Sequence, residues 1–422
     1  MKRNVFIVIL ILVIFFAISF LTNILGPIVP ALIDSFHLST GLAGFLPFSF
    51  FVAYAVMSIP AGVLAEKYTE KPVLLAAFVL AFAGAFFFAL KPSFGVALTS
   101  LFLIGIGMAM LQVVINPLLR VAGGEEHFAF NSVLAQLFFG SASFLSPLMY
   151  SYLVQHVHKT NKGTLINLLN RLVPENLTWV SVYWIFAAVA LVMILVIWFV
   201  RFPKVELKED EKIETGNILW ELFQKRTVIL FFIGIFAYVG TEQGIANWTS
   251  RFLQTYHQVN PETTGARVIS LFWGLMTVGC LLGLLLLKLF DSRKILMTFA
   301  AGALITLSLS LFGPKEVALV TFPLCGFFAS VMWSIIVSLG LNSLPSHQGT
   351  FAGILCTGIA GGAVVPLIIG GLADLFGLRI GMLFLYLTLG YIFSIGIWAR
   401  PLVNNKTIDW NLKRLFTSKG TE

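Results

Sequence analysis

The chain has 422 residues, 58% of them hydrophobic and only 11% charged, with a formal net charge of +8. A soluble domain cannot hide that much apolar surface, because its outside must face water, so soluble enzymes and binding modules are excluded. The basic balance is assigned to cytoplasmic loops facing anionic lipid, not to nucleic acid.

The chain begins MKRNVFIVILILVIFF, a basic start followed by an apolar run. The run is too long for a signal peptide, and no small-x-small cleavage site comes before Pro27, so it reads as an uncleaved first span. No charge occurs between Arg3 and Asp34, or between Asp34 and Glu66. Each gap exceeds the ~20 residues that a helix needs to cross the bilayer core. No sustained apolar/polar alternation supports a β-barrel.

Taken in order, the apolar runs predict twelve transmembrane helices. They lie at roughly 5–33, 43–65, 72–90, 95–120, 128–156, 177–200, 227–256, 267–287, 294–312, 316–343, 349–374 and 379–399. The longest polar interruption, 201–226, has mixed charge and reads as a solvated cytoplasmic linker. It divides the chain into a six-helix bundle at 1–200 and another at 227–401, with a cytoplasmic tail at 402–422. With the N-terminus inside, 19 of the 27 Lys and Arg fall on the cytoplasmic side, which places both termini there.

The two halves resemble each other. An offset of 219 residues carries Thr22-Asn23 onto Thr241-Glu242, Met57-Ser58 onto Met276-Thr277, and Pro147 onto Pro366. Matches at one offset and in one order indicate duplication, and two similar six-helix halves suit a carrier that rocks around a midplane site. The fold class expected is therefore an all-α membrane protein of two pseudo-symmetric bundles.

Polar residues inside the spans mark the cavity. Asn23 precedes Pro27 and Pro30, which disrupt the first helix. Gln112 and Asn116 are spaced i, i+4 and share a face. Asn131 and Gln136 follow in the fifth span, and Glu242, Gln243, Asn247 and Trp248 in the seventh. Amides donate and accept in pairs, which suits a ring of sugar hydroxyls. Trp248, Trp273 and Trp333 offer flat faces for the C–H side of a pyranose. Interhelical bonding is the competing reading for each amide. The small-residue stretches GIGMAM and GIAGGAVVPLIIGG read as close-packing surfaces.

Glu242 stands apart. A carboxylate at bilayer depth costs at least ~2.5 kcal/mol, so it is expected to face a wet cavity, pair, take a proton or bind a cation. With backbone carbonyls it could also form a Na⁺ site. Asp34 and Asp374 lie near span ends and read as solvated. Glu66, Lys67, Arg120, Asp291 and Arg293 read as charges of a cytoplasmic gate or its loops, with Glu125, Glu126, Lys288 and Lys294 beside them.

Several stretches carry a family resemblance. The loop GVLAEKYTEK resembles G-x-x-x-D-R/K-x-G-R/K of the major facilitator superfamily, with Glu66 in place of Asp and Thr69 in place of a Gly. LQVVINPLLRVAGGEEHFAFNSVLAQ resembles the L-E-x-x-x-N-P and L-A-Q segments of its fucose–galactose–glucose:proton symporter family, and TNILGPIVP resembles that family's N-D-x-L-x-P. YVG followed by an acidic or amide residue in the seventh span is similar too. The resemblance spans essentially the whole chain. It implies hexose or deoxyhexose transport by alternating access in the inner membrane, as a monomer, with co-transported H⁺ or Na⁺ and no other cofactor. It also strengthens Gln112 and Asn116 as sugar ligands.

One departure matters. The resemblance implies acids at the positions of Asn23 and Gln112, and neither amide can carry a proton. Coupling then falls to Glu242, or the protein is an uncoupled uniporter; a sugar sensor on the same fold is a third reading. No nucleophile–base set, D-x-D or H-x-x-E-H motif supports an enzyme. Cys280, Cys325 and Cys356 lack metal or disulfide spacing and read as buried thiols.

Overall fold

The computed structural model describes residues 5–124, 128–160, 163–203, 217–344 and 348–402, with the side chains of 66, 128–130, 217–219 and 348–349 left out. The side chain of Glu66, Glu125 and Glu126, and most of the predicted linker and tail lie outside the described residues. Those described are mostly helical, and no strand occurs among them.

Among the described residues, twelve helices or broken helices are long and apolar enough to cross a membrane. They are span 1 (Val5–Phe36), span 2 (Thr40–Ala65), span 3 (Glu70–Leu90), span 4 (Phe94–Gly123), span 5 (Asn131–His156) and span 6 (Thr178–Phe199). Then follow span 7 (Arg226–His257), span 8 (Pro261–Leu289), span 9 (Ser292–Phe312), span 10 (Lys315–Leu341), span 11 (Thr350–Phe376) and span 12 (Leu378–Trp398). The protein is a multi-pass membrane protein. The predicted boundaries fall within three residues of these, except that span 8 begins six residues earlier, at Pro261.

Packing repeats between the halves. Span 1 packs on span 5, span 2 on span 4, and span 3 on spans 4 and 6; span 7 packs on span 11, span 8 on span 10, and span 9 on spans 10 and 12. Lipid supplies no hydrophobic drive between helices, so close backbone contact must hold them together. Gly105 lies against the Phe50 carbonyl between spans 4 and 2, and Gly326 lies against the Phe272 carbonyl between spans 10 and 8. A Cβ at either glycine would collide with backbone. Thr22 Oγ1 donates to the Ile18 carbonyl at 2.7 Å, and Thr241 Oγ1 to the Ala237 carbonyl at 2.8 Å, the same local bond at the 219-residue offset.

The halves differ where their sequences differ. Span 1 breaks at Asn23 and Ile24, and its second segment runs from Leu25 to Phe36. Pro27 lacks the amide hydrogen needed to bond back to Asn23. Span 7 has no proline there and runs unbroken through Glu242.

The halves meet at the end where span 1 finishes and span 2 starts. There Gly26 of span 1 lies against the Ala246 carbonyl of span 7. The Gly41 amide donates to Asp374 Oδ2 at 2.9 Å, and Arg251 Nη1 lies 3.5 Å from Asp34 Oδ1. Asp34 and Asp374 are exposed, as expected, but both also bridge the halves. Spans 5 and 8 join nearby, where Ser270 Oγ donates to the Phe144 carbonyl at 2.7 Å. This end is sealed. Toward the other end the halves part around a cavity.

The ion pair contributes little to that seal. Asp34 is 60% exposed, and exposed pairs are worth about 0.2–1 kcal/mol. Arg251→Ala is therefore expected to change transport by no more than about fivefold, with any effect shrinking as salt rises. Initial uptake rates at low and high ionic strength check this.

Candidate functional site

A cavity of about 540 Å³ lies between the halves. Its walls come from spans 1, 2, 4, 5, 7, 8, 10 and 11, while spans 3, 6, 9 and 12 stand outside it. It runs from Asn23, Tyr238 and Trp273 at mid-depth to Ser132, Leu284 and Leu287 toward the open end. The volume suits one small molecule.

On one side Asn23 sits at the break in span 1. Its Nδ2 donates to Ser143 Oγ at 2.8 Å and to Ser19 Oγ at 3.2 Å. Ser19 and Ser143 are themselves 2.6 Å apart. These bonds commit the Asn23 amide hydrogens to a strut between spans 1 and 5 that borders the cavity. Gln112, Asn116 and Gln136 also line it. Asn116 Nδ2 points back to the Gln112 carbonyl at 3.4 Å, as i, i+4 spacing requires. Asn116 and Gln136 are exposed and so presented to a solute.

On the other side Glu242 lines the cavity, one helical turn after Tyr238. Gln243 Nε2 donates to Glu242 Oε1 at 3.0 Å. Asn247 Nδ2 donates to the Gln243 carbonyl at 2.8 Å and to Gln243 Oε1 at 3.3 Å. A chain from Asn247 through Gln243 thus orients the carboxylate. Trp333 lines the cavity beside Tyr238, with ring centroids 6.1 Å apart. Trp273 lines it too, and its buried indole nitrogen has no hydrogen-bond partner.

Three predicted ligands are placed elsewhere. Asn131 is buried against Gly123, away from the lining, and its side-chain nitrogen and oxygen both lack partners. Asn247 is behind the wall and supports Gln243. Trp248 is 1% exposed and its Nε1 donates to the Pro366 carbonyl at 3.0 Å, so it joins spans 7 and 11. These residues share helices with lining residues but face neighbouring spans. Trp248→Phe is expected to lower folding stability by about 1–2 kcal/mol through the lost buried bond, with the sugar KM unchanged within about twofold. Trp333→Ala should raise that KM roughly tenfold through lost ring contact. Thermal unfolding and uptake kinetics on the same preparations check the contrast.

The charges predicted for a gate or its loops fall at span ends. Asp291 caps span 9, accepting from the Arg293 amide at 2.8 Å, and pairs with Arg293 Nη2 at 3.1 Å. The Arg293 side chain holds the Asp291 carboxyl below the usual carboxylate range. Arg293 Nη1 also reaches the Ala399 carbonyl at 3.5 Å. This pair ties span 9 to the end of span 12 within one half, because its members are two residues apart on a helix start. Lys67 is exposed, with its ammonium 5.1 Å from the Tyr68 ring centre. Arg120 occupies the last turn of span 4. The charged link between halves that the structure does show, Asp34 with Arg251, lies at the sealed end.

The sequence marks no cavity role for Ser19, Ser143, Tyr54, Tyr238 or Thr277, all at or beside the cavity, and Cys280, expected as a buried thiol, is half-buried in its lining. Serine and threonine occur throughout the spans, commonly bonded to their own helix, so they give no distinct signal. The Tyr238 ring was available as an i, i+4 neighbour of Glu242.

The family model described as Major Facilitator Superfamily matches residues 11–366. The chain belongs to the Major Facilitator Superfamily. Among other superfamily members, it is 29% identical over 387 residues to a glucose/galactose transporter of Brucella abortus, covering 91% of each chain. It is 25% identical over 382 residues to the L-fucose-proton symporter of Escherichia coli, covering 86% of each. The crystal structure of the E. coli fucose:proton symporter aligns with a TM-score of 0.66 at 22% identity, over 94% of this chain and 100% of that one. A bacterial homologue of the lysosomal transporter Spinster, inward-facing and unoccupied, aligns with a TM-score of 0.74 at 16% identity, over 93% and 96%. These structures share the superfamily fold with this chain.

Proposed function

We propose that this superfamily member carries hexoses or deoxyhexoses across the cytoplasmic membrane by alternating access, coupled to a proton held on Glu242. The observation that carries the reading is one carboxylate set among amides, hydroxyls and aromatic rings, in a cavity whose remaining described lining is largely aliphatic. Gln112, Asn116, Gln136 and Gln243 supply donors and acceptors for sugar hydroxyls, and Trp273 and Trp333 supply faces. The named relatives point to the same substrates.

The excess of Lys and Arg in the loops on one side favours cytoplasmic termini. The cavity then opens inward and the sealed end is periplasmic. Its contacts must part for the carrier to load from outside. A proton fits Glu242 better than Na⁺ does, because the bonded partner at Oε1 is an N–H donor and a hard cation asks for oxygen ligands. The protein acts as a monomer, since each chain holds both halves of its cavity.

Counterflow separates a carrier from a sensor on the same fold. Proteoliposomes preloaded with unlabelled glucose or galactose should take up the labelled sugar transiently above equilibrium. If no hexose or deoxyhexose exchanges in such vesicles, the carrier reading fails.

A further inference from the structure

The cavity contains an imbalance that a neutral sugar does not correct by itself. Among the described residues lining it, Glu242 is the one charged side chain, and there is no Lys, Arg or His. A carboxylate facing a closing low-dielectric site must be neutralised before the halves rock past it. A proton can do this, and so can a cation on the substrate.

A second feature borders the same space. Trp273 lines the cavity, is 4% exposed, and its buried indole N–H has no hydrogen-bond partner. A buried donor left unsatisfied costs free energy that a ligand oxygen would recover once the ring turns its N–H toward the cavity. Tyr238 and Trp333 add adjacent aromatic faces, whose quadrupoles attract an ammonium. The ligand that answers all three features carries a positive charge and hydroxyl oxygens on one small ring.

We propose that the cavity accepts amino sugars with a free ammonium group, and that the ammonium takes the place at Glu242 that a proton holds when a neutral hexose is carried. This rests on the sugar-transport reading above. Charge balances in both modes. A neutral hexose enters with one proton, and an amino sugar enters alone, so each moves one positive charge while the loaded site crosses neutral. The same lining disfavours sugar phosphates and uronates, whose anions would meet Glu242 with no cation beside it.

The test uses the full chain in proteoliposomes containing a pH-sensitive dye. An inside-negative potential is imposed without a pH gradient, at a pH where the amine of glucosamine is charged. Labelled glucosamine should accumulate with no acidification of the lumen, whereas labelled glucose should enter with acidification. In Glu242→Gln the ratio of glucosamine to glucose initial rates should fall about 30-fold, through loss of the charge-assisted bond, and in Glu242→Asp it should stay within about threefold. Entry of glucose without glucosamine overturns the proposal alone. So does a ratio unchanged in Glu242→Gln, or equal acidification with both sugars. Failure of both sugars to enter overturns the transport reading itself, and the proposal with it.

Discussion

Glu242→Gln should leave a carrier that cannot concentrate neutral sugar. One pH unit is worth about 1.4 kcal/mol, so one proton per sugar supports a roughly tenfold accumulation ratio across vesicles held at that gradient. In the variant the ratio should fall to about one, because no other carboxylate lines the cavity among the described residues. Gln keeps the shape and can still accept and donate hydrogen bonds, but it cannot exchange a proton. Asn23 and Gln112 cannot take over, being amides already. An unchanged ratio in Glu242→Gln would remove this residue from coupling. A ratio of one in the unmodified protein would support the uniporter reading.

Gly26→Val should trap the carrier with its sealed end open. Gly26 lies against the Ala246 carbonyl, at a contact between spans 1 and 7 made where the sealed end closes. Backbone yields less readily than the tip of a side chain, so overpacking there costs about 3 kcal/mol, or a roughly hundredfold shift toward the state in which the halves part. Folding within each half is undisturbed, because the clash arises between the halves. Transport should fall about as far as that population does. A single cysteine placed at Ala43, buried where the start of span 2 packs on span 11, should become more accessible to a membrane-impermeant maleimide. Unaltered labelling together with normal uptake would show that this contact does not set the closed state.

The fold was legible because hydrocarbon imposes one strong requirement. Unbroken apolar runs long enough to cross it can form only a few structures, so the twelve spans and their division into halves followed from charge spacing alone. The 219-residue offset was legible for a similar reason. Thr22 and Thr241 sit on equivalent helices and make equivalent bonds.

The site was legible by helix and less so by face. In a soluble helix, polar residues point to water. In these spans lipid, protein and cavity all border largely apolar residues, so rotation about the axis is poorly marked. Gln243 and Asn247 share a face, yet one reaches the cavity and the other supports it from behind. Trp248 carries the same chemistry as Trp273 but faces span 11. The link between halves was hidden by sequence distance. Asp34 meets Arg251 only when the two bundles dock, whereas Asp291 and Arg293 are near neighbours that form a helix cap within one half.

The central claim is that this chain moves sugar against a gradient using the proton that Glu242 carries. Purified protein in liposomes, given labelled glucose, galactose and fucose under separately imposed H⁺ and Na⁺ gradients, tests it most directly. At least one of these sugars should accumulate above the bath under the H⁺ gradient and fall to equilibrium when a protonophore is added. Robust transport of an unrelated solute with no uptake of any sugar, or accumulation driven by Na⁺ and indifferent to the protonophore, would contradict it.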